Sequence, residues 1–300
     1  MTTSDPSAAI DGASRSFRAW SHAKPLSEAL ARAEACVRAK PRDARERWLL
    51  FELLCVLGQW ERALEQLQTW ADMSREHDGV ARVMSGLIRA EHQRAQLFAG
   101  RAEPATLTGD GMSAPAWMAG LGEALKLAAP GSGADLEAAD RARESALAQA
   151  PETAGQSNLL SFAWITDSDS RLGPVCEVIL AGAYRWVAFG DLASVTKGAP
   201  ARLLDLVWAP VDLVLRDGAP LKAYMPVRYP VQAGERDALL MARETAWTDV
   251  GRTGVIARGQ KMWSTDAGDM ALLDLRSCSF ASARQPDDIG GNRGADDAAV

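Results

Sequence analysis

Three histidines and four cysteines in 300 residues leave few of the side chains from which metal sites and nucleophilic centres are built. His22, His77 and His92 all fall in the first third, and no two share metal-ligand spacing on a helix. Cys36, Cys55, Cys176 and Cys278 are scattered, with no Cys-x-x-Cys pair and mostly apolar neighbours, so buried thiols in a reducing compartment are expected. No apolar run approaches the roughly 18 to 20 residues of a membrane span. The first residues lack the basic patch and apolar stretch of a secretory signal, so a soluble, cytoplasmic protein is expected. No Lys/Arg cluster tracks a phosphate backbone, and the net charge is −6, which argues against nucleic acid as a partner. Gly251, Gly254 and Gly259 are too far apart for a phosphate-cradling loop. No cofactor is expected.

What the chain does have is 47% hydrophobic and 24% charged residues, enough to bury a sizeable core, and a length that favours two domains. From Pro25 to about Gln149, Ala, Leu, Glu, Arg and Gln dominate, with apolar positions every three or four residues. This half reads as helical. Leu26, Ala29, Leu30 and Ala33 recur 34 residues on as Trp60, Ala63, Leu64 and Leu67, the tetratricopeptide period. Gly58 supplies the turn before Trp60, and Pro41 has the spacing of a helix stop. The pattern returns as Leu136, Ala139, Ala146 and Pro151, with an offset that places an insertion in Gly100 to Pro115 or Pro130 to Gly133. A degenerate solenoid of about three helical pairs is predicted, with a plain helical bundle as the alternative. On that template a partner groove includes Arg45, Trp48, Glu52, Cys55, Arg82 and Arg89. Equally, Trp48 can be core and the arginines solvated.

After Pro151, β-branched and aromatic residues gather in short runs between Gly, Pro and Asp. Val175 to Leu180 and Tyr184 to Phe189 read as a hairpin around Ala181-Gly182-Ala183. Val211 to Arg216 and Leu221 to Val227 form a second pair around Asp217-Gly218. Further strands are predicted at Gly254 to Arg258, Lys261 to Trp263 and Met270 to Leu275, with short helices at Asp191 to Val195 and Ala238 to Ala246. The fold class is α+β in two domains, the second a small mixed or barrel-like β unit. The boundaries are a flexible tail at 1–22, a tetratricopeptide-like domain at 23–155, the β-rich domain at 156–281 and a disordered tail at 282–300.

Asp167 and Asp169 alternate with serines, which suits either a turn before a strand or a ligand site together with Arg171. Only two ligands are evident where calcium takes six or more. Arg171 and Arg228 can bind a partner's carboxylate or one of the domain's own aspartates. Trp164, Trp186, Trp208, Trp247 and Trp263 are core or binding anchors.

The run DSDSRLGPVCEVI from Asp167, YRWVAF at Tyr184, DLVWAP at Asp205, YMPVRYP at Tyr224, GQKMW at Gly259 and LLDLR at Leu272 together resemble the ImpE/TagJ family of type VI secretion accessory proteins. The resemblance spans roughly Pro25 to Phe280 and is most specific in the second half. It implies a cytoplasmic, non-enzymatic adaptor that attaches to the contractile sheath through the small sheath subunit and influences recycling by a ClpV-type unfoldase. It transfers no binding residue. The other reading is a ligand-binding or hydrolase-like module around Asp167, Asp169 and Arg171.

Overall fold

A computed structural model describes residues 25–107, 114–129 and 134–281. Both expected tails lie outside the described residues, as do 108–113 and 130–133 from the two stretches predicted to hold an insertion. Helices come first: α1 (Leu26–Ala39), α2 (Ala44–Val56), α3 (Trp60–Ala71), α4 (Asp78–Phe98), α5 (Ala116–Leu127) and α6 (Leu136–Gln149). The starts of α1 and α3, and those of α2 and α4, share the 34-residue offset seen in the sequence. α3 buries one stripe, Ala63, Leu67 and Trp70, as its apolar spacing dictates.

α2 behaves differently. Its run from Trp48 to Val56 is apolar on nearly every side, and every residue from Arg47 to Val56 is buried. The Asp43 side chain opens the helix by accepting from the amides of Arg45 and Glu46. Gly58, in the left-handed region at φ 67°, closes it and turns the chain into α3.

The second half contributes β1 (Gly155–Ser157), β2 (Ser161–Phe162), β3 (Ile165–Asp167), β4 (Val175–Leu180), β5 (Ala183–Ala188), β6 (Leu192–Lys197), β7 (Trp208–Leu215) and β8 (Pro220–Pro226). A single helical turn, α7 (Asp237–Leu240), precedes β9 (Thr245–Val250), β10 (Gly254–Gly259), β11 (Met262–Thr265), β12 (Gly268–Ala271) and β13 (Ser277–Phe280). Eight strands form one sheet in the order β2-β1-β13-β6-β7-β8-β4-β5; β12-β11-β3 make a second sheet and β9-β10 a ribbon. All ladders between these strands are antiparallel. The large sheet is open, with β2 and β5 at its edges, so the expected mixed or barrel-like arrangement is replaced by an antiparallel layered one.

Both predicted hairpins form, as β4–β5 and β7–β8. The helix expected at Asp191 to Val195 is instead β6, because Leu192 to Lys197 carries β-branched residues and is paired on both sides, by β7 and β13. The helix expected at Ala238 to Ala246 stops after one turn at Ala242, whose φ of 50° no helix can continue through. Thr245 then starts β9.

The sheet separates two cores by strand alternation. On β4 and β5, Val175, Ile179, Tyr184 and Trp186 face the helices, where they join Trp48, Leu53, Ile88 and Leu97. Cys176, Val178, Val187 and Phe189 face the other way, into a core closed by Trp263 and Met270 of the small sheet. β4 is therefore buried on both faces, which is why it reads as an almost continuous apolar run.

Candidate functional site at the junction of helices and sheet

One residue interrupts the β4 run: Glu177, whose carboxylate points with Val175 and Ile179 toward the helices and is fully buried. A buried carboxylate is tolerated only with partners, and α4 supplies one. Arg94 follows the buried positions Leu87, Ala90 and Glu91 around that helix and donates from Nε and Nη2 to Glu177 at 2.6 and 3.0 Å. The planar fork matches both carboxylate oxygens. Arg94 also donates to the Arg228 carbonyl at 3.0 Å and lies 3.4 Å from Glu91.

On the far side of Glu177 sits Lys261, its ammonium in contact with that carboxylate and 2.6 Å from Asp167 Oδ2. The Tyr184 hydroxyl donates to Glu177 at 2.5 Å and accepts from the Trp186 indole at 2.8 Å. The Tyr229 hydroxyl donates to Asp167 at 2.9 Å, and the Trp208 indole donates to Glu91 at 2.9 Å. Asp169 takes a two-pronged bond from Arg171 at 2.8 and 2.5 Å and another from the Ala257 amide at 3.0 Å. The set is balanced: Glu91, Asp167, Asp169 and Glu177 face Arg94, Arg171, Arg228 and Lys261.

Burial pushes the Glu177 carboxyl up, but Arg94 and Lys261 overcome it and hold the group at about 2. For Asp167 burial wins over Lys261 and lifts the carboxyl to about 6. Burial also presses on Lys261, yet Asp167 and Glu177 keep its ammonium above the ordinary value. These groups lock helices to sheet. Each is engaged with another, and none of Asp167, Glu177, Arg94 and Lys261 is more than 2% exposed.

The predicted site residues separate accordingly. Arg228 is 3% exposed and fans its guanidinium onto the carbonyls of Val56, Cys55 and Leu240 at 2.5 to 2.7 Å. It supplies the cation that the last turn of α2 lacks, so its expected role toward a partner gives way to a helix-capping one. Arg171 is paired with Asp169 and lies 4.6 Å over the Phe98 ring, at the edge of a cleft. Trp48 packs on Phe51 and Trp70, and Glu52 is 1% exposed, so neither they nor buried Cys55 line an open groove. Arg45, Arg82 and Arg89 are at the surface, and Arg89 reaches the Gly182 carbonyl at 3.3 Å. Trp186, Trp208 and Trp263 are core, and Trp247 is 48% exposed on the ribbon.

Asp167 and Asp169, expected in a turn ahead of a strand or at a ligand site, end β3 and begin the turn after it. Their carboxylates are committed to Tyr229, Lys261, Arg171 and backbone amides. Among the described residues, no three His, Cys, Asp or Glu side chains gather in a way that could hold a metal ion. Glu177, Arg94 and Lys261 escaped sequence reasoning. The available signal was a lone charge in an apolar frame, VCEVI and GQKMW, and an arginine on the apolar stripe of α4.

The profile of the ImpE protein family matches residues 160–279, the strands that carry this junction. The type VI secretion system accessory component TagJ of Pseudomonas aeruginosa is 40% identical over 257 residues, covering 85% of this chain and 87% of that protein. The crystal structure of protein VPA1032 from Vibrio parahaemolyticus superposes with a TM-score of 0.76 at 26% identity, covering 85% of this chain and 94% of that one. The fold is thus shared from the helices through the sheet, and the chain belongs to the ImpE/TagJ family.

Proposed function

We propose that this protein is an accessory adaptor of a type VI secretion system, acting by docking rather than by catalysis. The observation that carries the reading is the 40% identity to TagJ across nearly the whole of both chains. In this reading the protein works in the cytoplasm, attaches to the small sheath subunit and modulates sheath recycling by a ClpV-type unfoldase. The 34-residue offset between the α1–α2 and α3–α4 pairs supports a tetratricopeptide-like arrangement, a kind of scaffold suited to holding a partner segment. The engagement of Asp167 and Asp169 by internal donors speaks against the hydrolase-like alternative. No described helix is long and apolar enough to cross a membrane.

Arg45 and Arg82 are the exposed candidates for contact, because their side chains are free of the internal network described above. The experiment is calorimetric titration of the full chain with the purified small sheath subunit. The parent is expected to bind, and the Arg45→Glu/Arg82→Glu variant to bind at least tenfold more weakly. Its stability should stay within about 0.5 kcal/mol of the parent's. A parent chain that does not bind the subunit would end the docking reading. A variant that binds like the parent would move the contact off these helices.

A further inference from the structure

A cleft of about 540 Å³ lies between α4, α5, α6, the segment after Arg228 and the β9–β10 ribbon. That volume is in the range of small-molecule sites. Its walls are apolar, formed chiefly by Phe98, Leu121, Leu125, Val231 and Ile256. The charged side chains among the described lining residues are Arg101, Arg143 and Arg171, all of one sign, in a chain whose net charge is −6. No carboxylate among the described residues lines the space.

Arg143 supplies an independent observation. Its side chain is 6% exposed. Its Nη1 is held by Asp140 Oδ1 and Thr253 Oγ1, each at 2.9 Å. Its Nε is buried and has no hydrogen-bond partner among the described residues. An unmet buried donor is uncommon in native proteins and calls for an acceptor. Arg171 adds a second guanidinium, stacked on the Phe98 ring; its bonds to Asp169 use Nε and Nη2 and leave Nη1 outside the pair. Guanidinium groups bind carboxylates through paired, charge-assisted hydrogen bonds, and apolar walls take a hydrocarbon chain.

We propose that this cleft binds a small amphiphilic carboxylate, its aliphatic chain against Phe98, Leu121 and Ile256 and its carboxylate at Arg143 and Arg171. No docking partner enters this proposal, so it stands or falls apart from the adaptor reading.

The test is calorimetric titration of the full chain with decanoate and, separately, with decan-1-ol, which has the same chain without the charge. Decanoate should saturate at one molecule per chain, with decan-1-ol at least tenfold weaker. Ala95→Trp places an indole from an exposed position of α4 that lines the cleft. It should weaken decanoate at least tenfold while leaving the melting temperature unchanged. Should that variant misfold, Arg101→Gln takes its place: it removes an exposed cation and should weaken decanoate at least threefold while leaving the decan-1-ol signal alone. Absence of saturable binding would overturn the site. So would equal affinity for the two probes, or a folded variant that binds decanoate like the parent.

Discussion

The two cores on either side of the large sheet join different things. The core between the sheets draws its residues almost entirely from the β half and includes Val178, Phe189, Leu213, Met225 and Trp263. The core under the helices mixes both halves of the chain and encloses the Arg94–Glu177–Lys261 ion pairs. The first can form with little help from α1 to α6. The second exists only once helices and sheet have met. A boundary drawn where helix gives way to strand, between Gln149 and Gly155, therefore divides secondary structure without dividing the interior.

Cutting the chain there is the strongest way to break the comparison. A fragment of residues 25–152 should lose cooperative unfolding altogether, because α2 is buried on every side and loses its sheet-side cover. A fragment of residues 153–281 should keep strand content but expose the helix-facing side of β4 and β5. Mixing the two should restore a single transition, read by circular dichroism. If each fragment melts cooperatively at the temperature of the whole chain, the shared core does not couple the halves.

Removing one charge from the junction should come next. Glu177→Gln keeps the shape but leaves Arg94 and Lys261 buried with half their partners gone. Breaking a buried pair from one side costs about 3–5 kcal/mol, to be measured by urea denaturation. A loss below about 1 kcal/mol, the value of a surface ion pair, would mean that the network is wetter than the burial of its members implies.

A smaller effect of opposite sign is expected at Glu52. Burial pushes its carboxyl from the ordinary 4.5 up to about 8, against weaker pulls from Trp48 and Arg202. One of its oxygens lacks a hydrogen-bond partner among the described residues. The unfolded chain ionises this group near 4.5 while the folded chain keeps it protonated to about 8, so its contribution to stability is intact at low pH and is lost as pH rises between those values. Glu52→Gln removes the titration. The variant should match the parent near pH 4.5 and exceed it by on the order of 3 kcal/mol at pH 7, with the difference levelling off above about pH 8. Urea midpoints at pH 5, 6, 7 and 8 would show this, and a difference independent of pH would remove burial as the cause.

Legibility in the sequence follows the same divide. Features set by local pattern were readable: the helical periodicity of α1 to α6, the 34-residue offset, and the β4–β5 and β7–β8 hairpins with glycine in their turns. Features set by distant partners were not. β6 becomes a strand because β7 and β13 flank it, and β1, β2 and β13 are too short to signal themselves. At the junction, the sequence offers Arg171 and Arg228 either a partner's carboxylate or one of the domain's own aspartates. Their partners, Asp169 in one case and the end of α2 in the other, could be named only from the fold. Trp48 and Glu52 were assigned to a groove because periodicity places residues on a face and says nothing of what covers that face.

The Arg228 fan has a consequence in time. Its bonds to Val56 and Cys55 span 172 and 173 residues of chain. While the protein is being made, the last turn of α2 has no such cap until residue 228 has been added. At 5–20 residues per second the wait is roughly 9–34 s. Through that interval the most completely buried of the described helices stands without its final anchor and without the sheet that will cover it. The order of synthesis thus gives the helices to the cell first and their closure last, which makes the emerging helical half a natural client for chaperones at the ribosome.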